Sequence, residues 1–435
     1  MRHLRTVLLT VLVLALVCHV WGCGSDGDSS EAAGDGWPAN TAEAIANYSV
    51  IVEASYADSH ATAVTLNNAL KALVATPSQD TLDTARQAWY DSREPYLETE
   101  VYRFYEGPID NEADGPEGLI NAWPMDEHTV DYVEGDAAAG IINGTDTLDA
   151  NAIEAANGVD GEADVKTGYH AIEFLLWGQD QSDDGPGSRS FTDYVVSDNG
   201  PSGCYSGPPN HTCSCGGAEA DCASPGMWTD TCACPANADR RGTYLTIVGD
   251  LLVSHLETVH AAWAAGGTNY RADFEVDAQV AFEKILTGMI VLAGFETGGE
   301  RLQAARDSGL QEDEHSCFSD NTHRDMVQDV QGIHNVWNGT YERVDGTVVS
   351  GVGIKDVVTA KDADLAARVD AKINEALANA QALVKPFDQE IAPGNAEGNA
   401  RVDALIDSLT NKTTGLEAVL FEVFDAFGLS ITIPE

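Results

Sequence analysis

The sequence predicts an all-α fold: two helical-bundle-like halves packed together, with a Cys-rich loop insertion and a candidate small hairpin. Three observations predict it. Long segments place apolar residues at the spacing of one helix face, as in Ile45, Val52, Leu66, Leu70 and Leu73. Helix punctuation falls between those segments, with Pro77 followed by the capping candidates Ser78 and Asp80. No run of strands suits a parallel sheet or a sandwich.

Residues 1–22 read as a secretory signal. Arg2 and Arg5 precede the apolar run Val7–Val17, which is too short to span a bilayer. The segment ends Val20-Trp21-Gly22-Cys23, which resembles a lipobox. Lipidation at Cys23 would anchor the chain without spanning the membrane, in a bacterial cell envelope. Gly24 after the cysteine favours the outer membrane, facing periplasm or cell surface. Residues 23–40, rich in Gly, Ser, Asp and Ala, form a flexible tether. No later stretch reads as a transmembrane helix.

The helical domain is expected over 41–430, with halves at about 41–240 and 241–430. Its first helix covers 41–76 and its second runs to about Tyr105. Short elements follow near 118–122 and 129–132, then a helix over 165–178. Residues 179–241 are rich in Gly, Ser, Asp and Cys and lack apolar periodicity, so they read as a surface insertion. Helices are expected over 242–265, over 276–307 with interruptions at Gly294, Gly298 and Gly299, and over 322–337. Gly and Val alternate in 339–358, the hairpin candidate. The last long helices cover 365–384 and 395–427.

Charge limits the partners. Asp+Glu number 70 against 23 Lys+Arg, a formal net charge of -47. Such a field repels phosphate backbones and excludes nucleic acid as a natural partner. It attracts cations, and it also suits a solvated surface that keeps a protein soluble.

The six insertion cysteines are Cys204, Cys213, Cys215, Cys222, Cys232 and Cys234. An exported chain favours three disulfides among them, with zinc binding by the Cys-x-Cys pairs as the alternative. Six cysteines allow 15 pairings, and spacing does not choose among them. Cys317 is left over.

Several segments carry a family resemblance, in order along the chain. They are Glu100-Val-Tyr-Arg-Phe-Tyr-Glu-Gly-Pro-Ile-Asp110, Ile120-Asn-Ala-Trp-Pro-Met-Asp126 and Gly168-Tyr-His-Ala-Ile-Glu-Phe-Leu-Leu-Trp-Gly178. Lys284-Ile-Leu-Thr-Gly-Met289, Gly294-Phe-Glu-Thr-Gly-Gly-Glu-Arg301 and Ser316-Cys-Phe-Ser-Asp-Asn-Thr-His323 complete the set. Together they resemble the imelysin family, which includes peptidase-like and iron-regulated envelope proteins. The Cys-rich insertion departs from that family's usual pattern.

The family's signature is Gly-x-His-x-x-Glu, here Gly168, His170 and Glu173. On a helix the positions i and i+3 share a face, so imidazole and carboxylate can converge on one cation. Gly168 allows a close approach of backbone or ligand at the helix start. The structural alternative is a buried His–Glu hydrogen bond on an apolar helix. Glu296 and Glu300, four apart on another helix, are the candidates for further carboxylate ligands. Ordinary solvated charge beside Arg301 is the alternative there. Glu100 and Arg103 share a face and are candidates to line the same cleft as ion-paired supports.

The resemblance implies a metal-binding lipoprotein in iron acquisition or homeostasis. Imidazole and carboxylate suit iron, with zinc also compatible. A metallopeptidase with Glu173 as base or ligand is the first alternative. No His-Glu-x-x-His occurs; His255 and His260 lie five apart and share no helix face well. The second alternative is a non-catalytic cell-surface binding protein with an envelope protein partner, reached through the Cys-rich loop.

Overall fold

The computed structural model describes residues 36–182, 185–196 and 237–430, together with the backbone of 212–215 and 218–221. The signal segment, Cys23 and most of the tether lie outside the described residues. So do the side chains of all six insertion cysteines and any pairing among them. Within the insertion the backbone pairs β1 (Thr212–Cys215) with β2 (Ala218–Asp221) as an antiparallel hairpin.

Residues from Pro38 onward form one compact unit. The long helix α1 (Thr41–Ala75) buries Ile45, Val52, Leu66, Leu70 and Leu73 against α2 (Gln79–Leu97) and a later helix, α4 (Ala238–Trp263). Pro77 separates α1 from α2. A capping box then starts α2: the Ser78 Oγ accepts from the Thr81 N–H at 3.2 Å, and the Thr81 Oγ1 accepts from the Ser78 N–H at 3.0 Å. The expected run to Tyr105 stops at Leu97. Pro95 lacks the N–H that would hold the last turn, and the chain tightens into a 3₁₀ turn over Glu100–Tyr102.

Helix α3 (Gly168–Trp177) buries all ten of its residues between α2 and α4 (Ala238–Trp263). A helix apolar on every side belongs inside a protein. Its first residue, Gly168, has φ +81, and a Cβ there would stand 2.3 Å from the Ile120 carbonyl oxygen. Only glycine meets both conditions.

Helix α5 (Ala278–Val291) continues without a break through Leu292–Gln303 to Ser308. The three glycines do not interrupt it. Instead Leu292–Gln303 widens into a π-helix, whose bonds run from residue i to i+5. At Gly298 a Cβ would meet the Thr410 side chain at 2.3 Å, so a neighbouring helix lies against the widened turn. Contrary to expectation, Ala278–Ser308 is long and apolar enough to cross a membrane. Its apolar window is 61% buried inside the fold, which accounts for its composition as a core helix.

Helix α6 (Thr322–Asn338) leads into the expected hairpin, here β3 (Thr340–Glu342) with β4 (Val348–Ser350). Helices α7 (Ile354–Lys361) and α8 (Ala363–Gln381) follow. The expected helix over 395–427 is two, α9 (Ala396–Thr410) and α10 (Leu416–Phe427). The Asn411 side chain accepts from the N–H groups of Thr413 and Thr414, an Asx turn that diverts the backbone from the helical ladder. Helix α8 packs on α6, α7, α9 and α10, while α6 also packs on α2.

The α2–α6 contact contains a titratable group with a testable role. The Glu98 Oε2 accepts from Asn335 at 2.6 Å, and burial pushes its carboxyl up to about 8. The folded protein therefore keeps a proton that the unfolded chain releases above its ordinary value near 4.5. Stability tied to this group is lost as pH rises between those two values. Glu98→Gln is expected to add on the order of 4 kcal/mol at pH 8 and almost nothing near pH 4. Urea unfolding at both pH values checks this; equal stability of wild type and variant at pH 8 contradicts it.

Candidate functional site

Helix α3 brings His170 and Glu173 together on its inner face. The His170 Nδ1 lies 2.9 Å from the Glu173 Oε2, and both side chains are fully buried. The other carboxylate oxygen, Oε1, accepts from the Ser319 N–H at 3.0 Å and from the Ser319 hydroxyl at 2.6 Å. Both Glu173 oxygens are thus engaged. Burial pushes the carboxyl up to about 8, against the Ser319 bonds and the Arg93 charge. Burial, followed by Arg93, holds the His170 imidazolium well below the ordinary histidine range. Among the described residues, the His170 Nε2 is buried with no hydrogen-bond partner.

A second histidine stands beside the first. The His315 ring centroid is 4.9 Å from that of His170, edge to face, and Trp123 packs 4.8 Å from His170. The His315 Nδ1 lies 2.7 Å from the Asp325 Oδ2. Burial, then the Arg301 charge, brings His315 down to about 4. Burial works to raise the Asp325 carboxyl, but Arg93 and His315 overcome it and hold it far below the carboxylate range. Asp325 also accepts from Ser316, from Asn321 at 3.1 Å and from Arg93 at 3.2 Å. Arg93 itself is fully buried, bonded to Asn121 and close to the rings of Trp89, Tyr96 and Tyr169.

His315 lines a cleft of about 520 Å³, which Trp123 also lines. Five acids line it, Glu117, Glu162, Glu296, Glu300 and Asp313, against the two arginines Arg103 and Arg301. This balance favours a cation over an anion.

The four expected metal ligands do not converge. Among the described residues, one group of three candidate ligands has donor atoms within 4.8 Å of one another, and it is Asp126, Glu127 and His128. That group is largely solvent-exposed, and Asp126 serves as the cap of a short 3₁₀ turn. Glu296 is held by Arg301 at 2.9 Å and approached by Arg103 at 3.8 Å. Glu296 and Glu300 both line the cleft. Residue i+5, here Arg301, comes over Glu296, while Glu300 is exposed at the cleft.

Of the expected supports, Arg103 and Arg301 line the cleft and Glu100 does not. Glu100 lies buried behind it. Glu100 accepts from Arg103 at 2.7 Å and from Arg301. Burial raises its carboxyl, and the two guanidinium groups overcome that and hold it at about 2. Arg301 also reaches both oxygens of Asp329, at 3.1 and 2.9 Å.

Sequence reasoning missed His315, Asp325, Arg93 and Ser319. Ser319 falls inside the Ser316–His323 segment that carries the family resemblance, and His315 immediately precedes it. That segment was the available signal. Arg93 had none, since an arginine among aromatics on a helix reads as surface.

Comparison with known proteins agrees with this architecture. The family model described as Imelysin, which bears a peptidase name, matches residues 52–416. Iron-regulated protein A of Synechococcus elongatus is 32% identical over 127 residues, which span 29% of this chain and 29% of that relative's length. A solved structure described as a putative iron-regulated protein A precursor from Parabacteroides distasonis superposes with a TM-score of 0.62 at 17% identity. It covers 91% of this chain and 97% of its own. An imelysin-like protein from Psychrobacter arcticum gives a TM-score of 0.55 at 13% identity, covering 90% and 98%. At those identities the two structures speak for the fold, and the family match over most of the length speaks for descent: this chain belongs to the imelysin family.

Proposed function

We propose that this protein is an envelope protein that binds a metal ion, iron in its biological role, and that His170 and His315 hold the ion. The observation that carries this reading is the buried His170 Nε2 without a partner. A buried polar nitrogen left unpaired costs about 1–3 kcal/mol, and a metal ion would satisfy it. Carboxylate on one ring nitrogen and metal on the other is the usual arrangement of a metal-binding histidine. His170 with Glu173 and His315 with Asp325 both have that form, so Glu173 orients the imidazole. The ion would withdraw electron density from its ligands as a Lewis acid. The acidic cleft would draw a cation toward His315.

Iron is favoured because the relatives' names speak of iron regulation, and two imidazoles with carboxylates nearby suit it; zinc is the competing metal. Hydrolysis is the weaker reading. A peptidase would need Glu173 as base or direct ligand, and both of its oxygens are occupied. Attachment through a lipidated Cys23, an outer-membrane position and contact with another envelope protein complete the proposal, with nucleic acid excluded by charge.

The test is calorimetric titration of the mature protein with ferrous, ferric and zinc ions, joined to a broad peptide-cleavage screen. His170→Ala is expected to weaken iron binding tenfold or more, on the order of the 10–100-fold losses seen when such sites are disturbed, with helical content kept. Equal affinity in both proteins, or metal-dependent peptide cleavage lost in the variant, would overturn the binding reading.

A further inference from the structure

We propose a second, separate metal site, for a divalent ion of the copper class, formed by His60 on α1 and His260 on α4. His255 and His260, which share no helix face well, have different partners. The His255 Nε2 lies 2.9 Å from the Glu154 Oε1. The His260 ring instead stacks on that of His60, with centroids 6.3 Å apart and planes 22° from parallel.

The packing of α1 on α4 fixes that meeting. The Asn67 side chain donates to the Asp250 Oδ1 at 2.7 Å, and the Glu53 Oε1 accepts from the Ala265 N–H at 3.2 Å. The two helices therefore run antiparallel. His60 lies between these two bonds, two helical turns from each. Gly249 lets the helices close up, since a Cβ there would stand 2.7 Å from the Asn67 Oδ1. Lys71 adds an ion pair to Asp250 at 2.5 Å.

Two imidazoles on rigid, mutually tied helices form a chelating pair whose spacing is set before an ion arrives. Metal–nitrogen bonds of about 2.0–2.1 Å put two rings on one ion roughly 5–6 Å apart between centres. The observed 6.3 Å needs only a small rotation of the side chains. Both histidines are half-buried, which leaves room for that rotation and lets an ion enter from solvent.

Imidazole selects zinc, nickel and copper over calcium and magnesium, and copper(II) heads the affinity order for such donors. Among the described residues the pair belongs to no group of three close donor atoms, so water completes the shell. This site does not depend on the proposed iron site and uses neither His170 nor His315.

The experiment is copper(II) titration of the metal-stripped full mature chain in the His170→Ala background, which removes a proposed iron ligand. Calorimetry gives the affinity, and electron paramagnetic resonance at one equivalent reads the coordinating nitrogens. The expected result is one saturable site with two imidazole nitrogens and a higher Tm on loading, because the ion ties α1 to α4. His60→Ala and His260→Ala are each expected to lower the affinity about tenfold or more and to remove the rise in Tm. The control His128→Ala, at an exposed histidine, keeps both. If circular dichroism shows that an alanine variant does not fold, His60→Gln or His260→Gln replaces it with the same expectation. No saturable uptake, or uptake unchanged in both pair variants, would overturn the proposal. So would uptake lost in His128→Ala and kept in the pair variants, which would put the ion at the exposed Asp126–His128 group.

Discussion

Arg93→Met is expected to cost about 3–5 kcal/mol of folding stability, the scale seen when one partner of a buried ion pair is removed. Arg93 and Asp325 both have fully buried side chains, and they meet at 3.2 Å. Without the guanidinium, the Asp325 charge retains only neutral donors and the His315 imidazole. Asn121 loses its charged donor as well. The methionine keeps much of the packing against Trp89, Tyr96 and Tyr169, so the loss reports the charge more than the volume. Chemical denaturation measures it. In the double variant Arg93→Met with Asp325→Asn, part of the loss is expected to return, because no uncompensated charge stays buried. A fully additive double variant would show the two residues to be uncoupled.

Gly168→Ala is expected to be comparably damaging, at about 3–5 kcal/mol. The positive φ costs an L-residue about 1–3 kcal/mol by itself. The added methyl then stands 2.3 Å from the Ile120 carbonyl oxygen, which belongs to backbone and cannot swing aside. Either the start of α3 or the Ile120–Asn121 segment must move. Both lead to the centre, since α3 carries His170 and Asn121 bonds Arg93. Metal affinity should therefore fall together with stability, unlike in His170→Ala, where helical content and most of the stability persist. Thermal melts and metal titration of the same preparation separate the two variants. A Gly168→Ala protein as stable as wild type would contradict the described backbone.

The all-helical class was legible because apolar periodicity over long segments is a local signal, as in α1 and α8. Helix ends were less so. Asn411 ends α9 through its own side chain inside a pattern that otherwise continues to Phe427. The glycines of 294–299 read as interruptions, whereas the helix runs through them as a π-helix, with Glu417 and Thr410 close against Gly294 and Gly298. At the site, His170 and Glu173 were legible from their i, i+3 spacing and the glycine before them. His315 was not, because its place beside His170 comes from tertiary folding between distant segments. The same holds for Ser319, whose two bonds occupy the Glu173 oxygen that does not meet His170.

In the proposed site the ion is held by two histidine nitrogens, with Glu173 and Asp325 behind them. X-ray absorption at the iron edge of the iron-loaded wild-type protein tests it most directly, repeated with His315→Ala. The expected result is two imidazole nitrogens at about 2.0–2.1 Å, by analogy with zinc–histidine bonds, with one lost in the variant. A shell of oxygen alone, or a spectrum unchanged in His315→Ala, would contradict it.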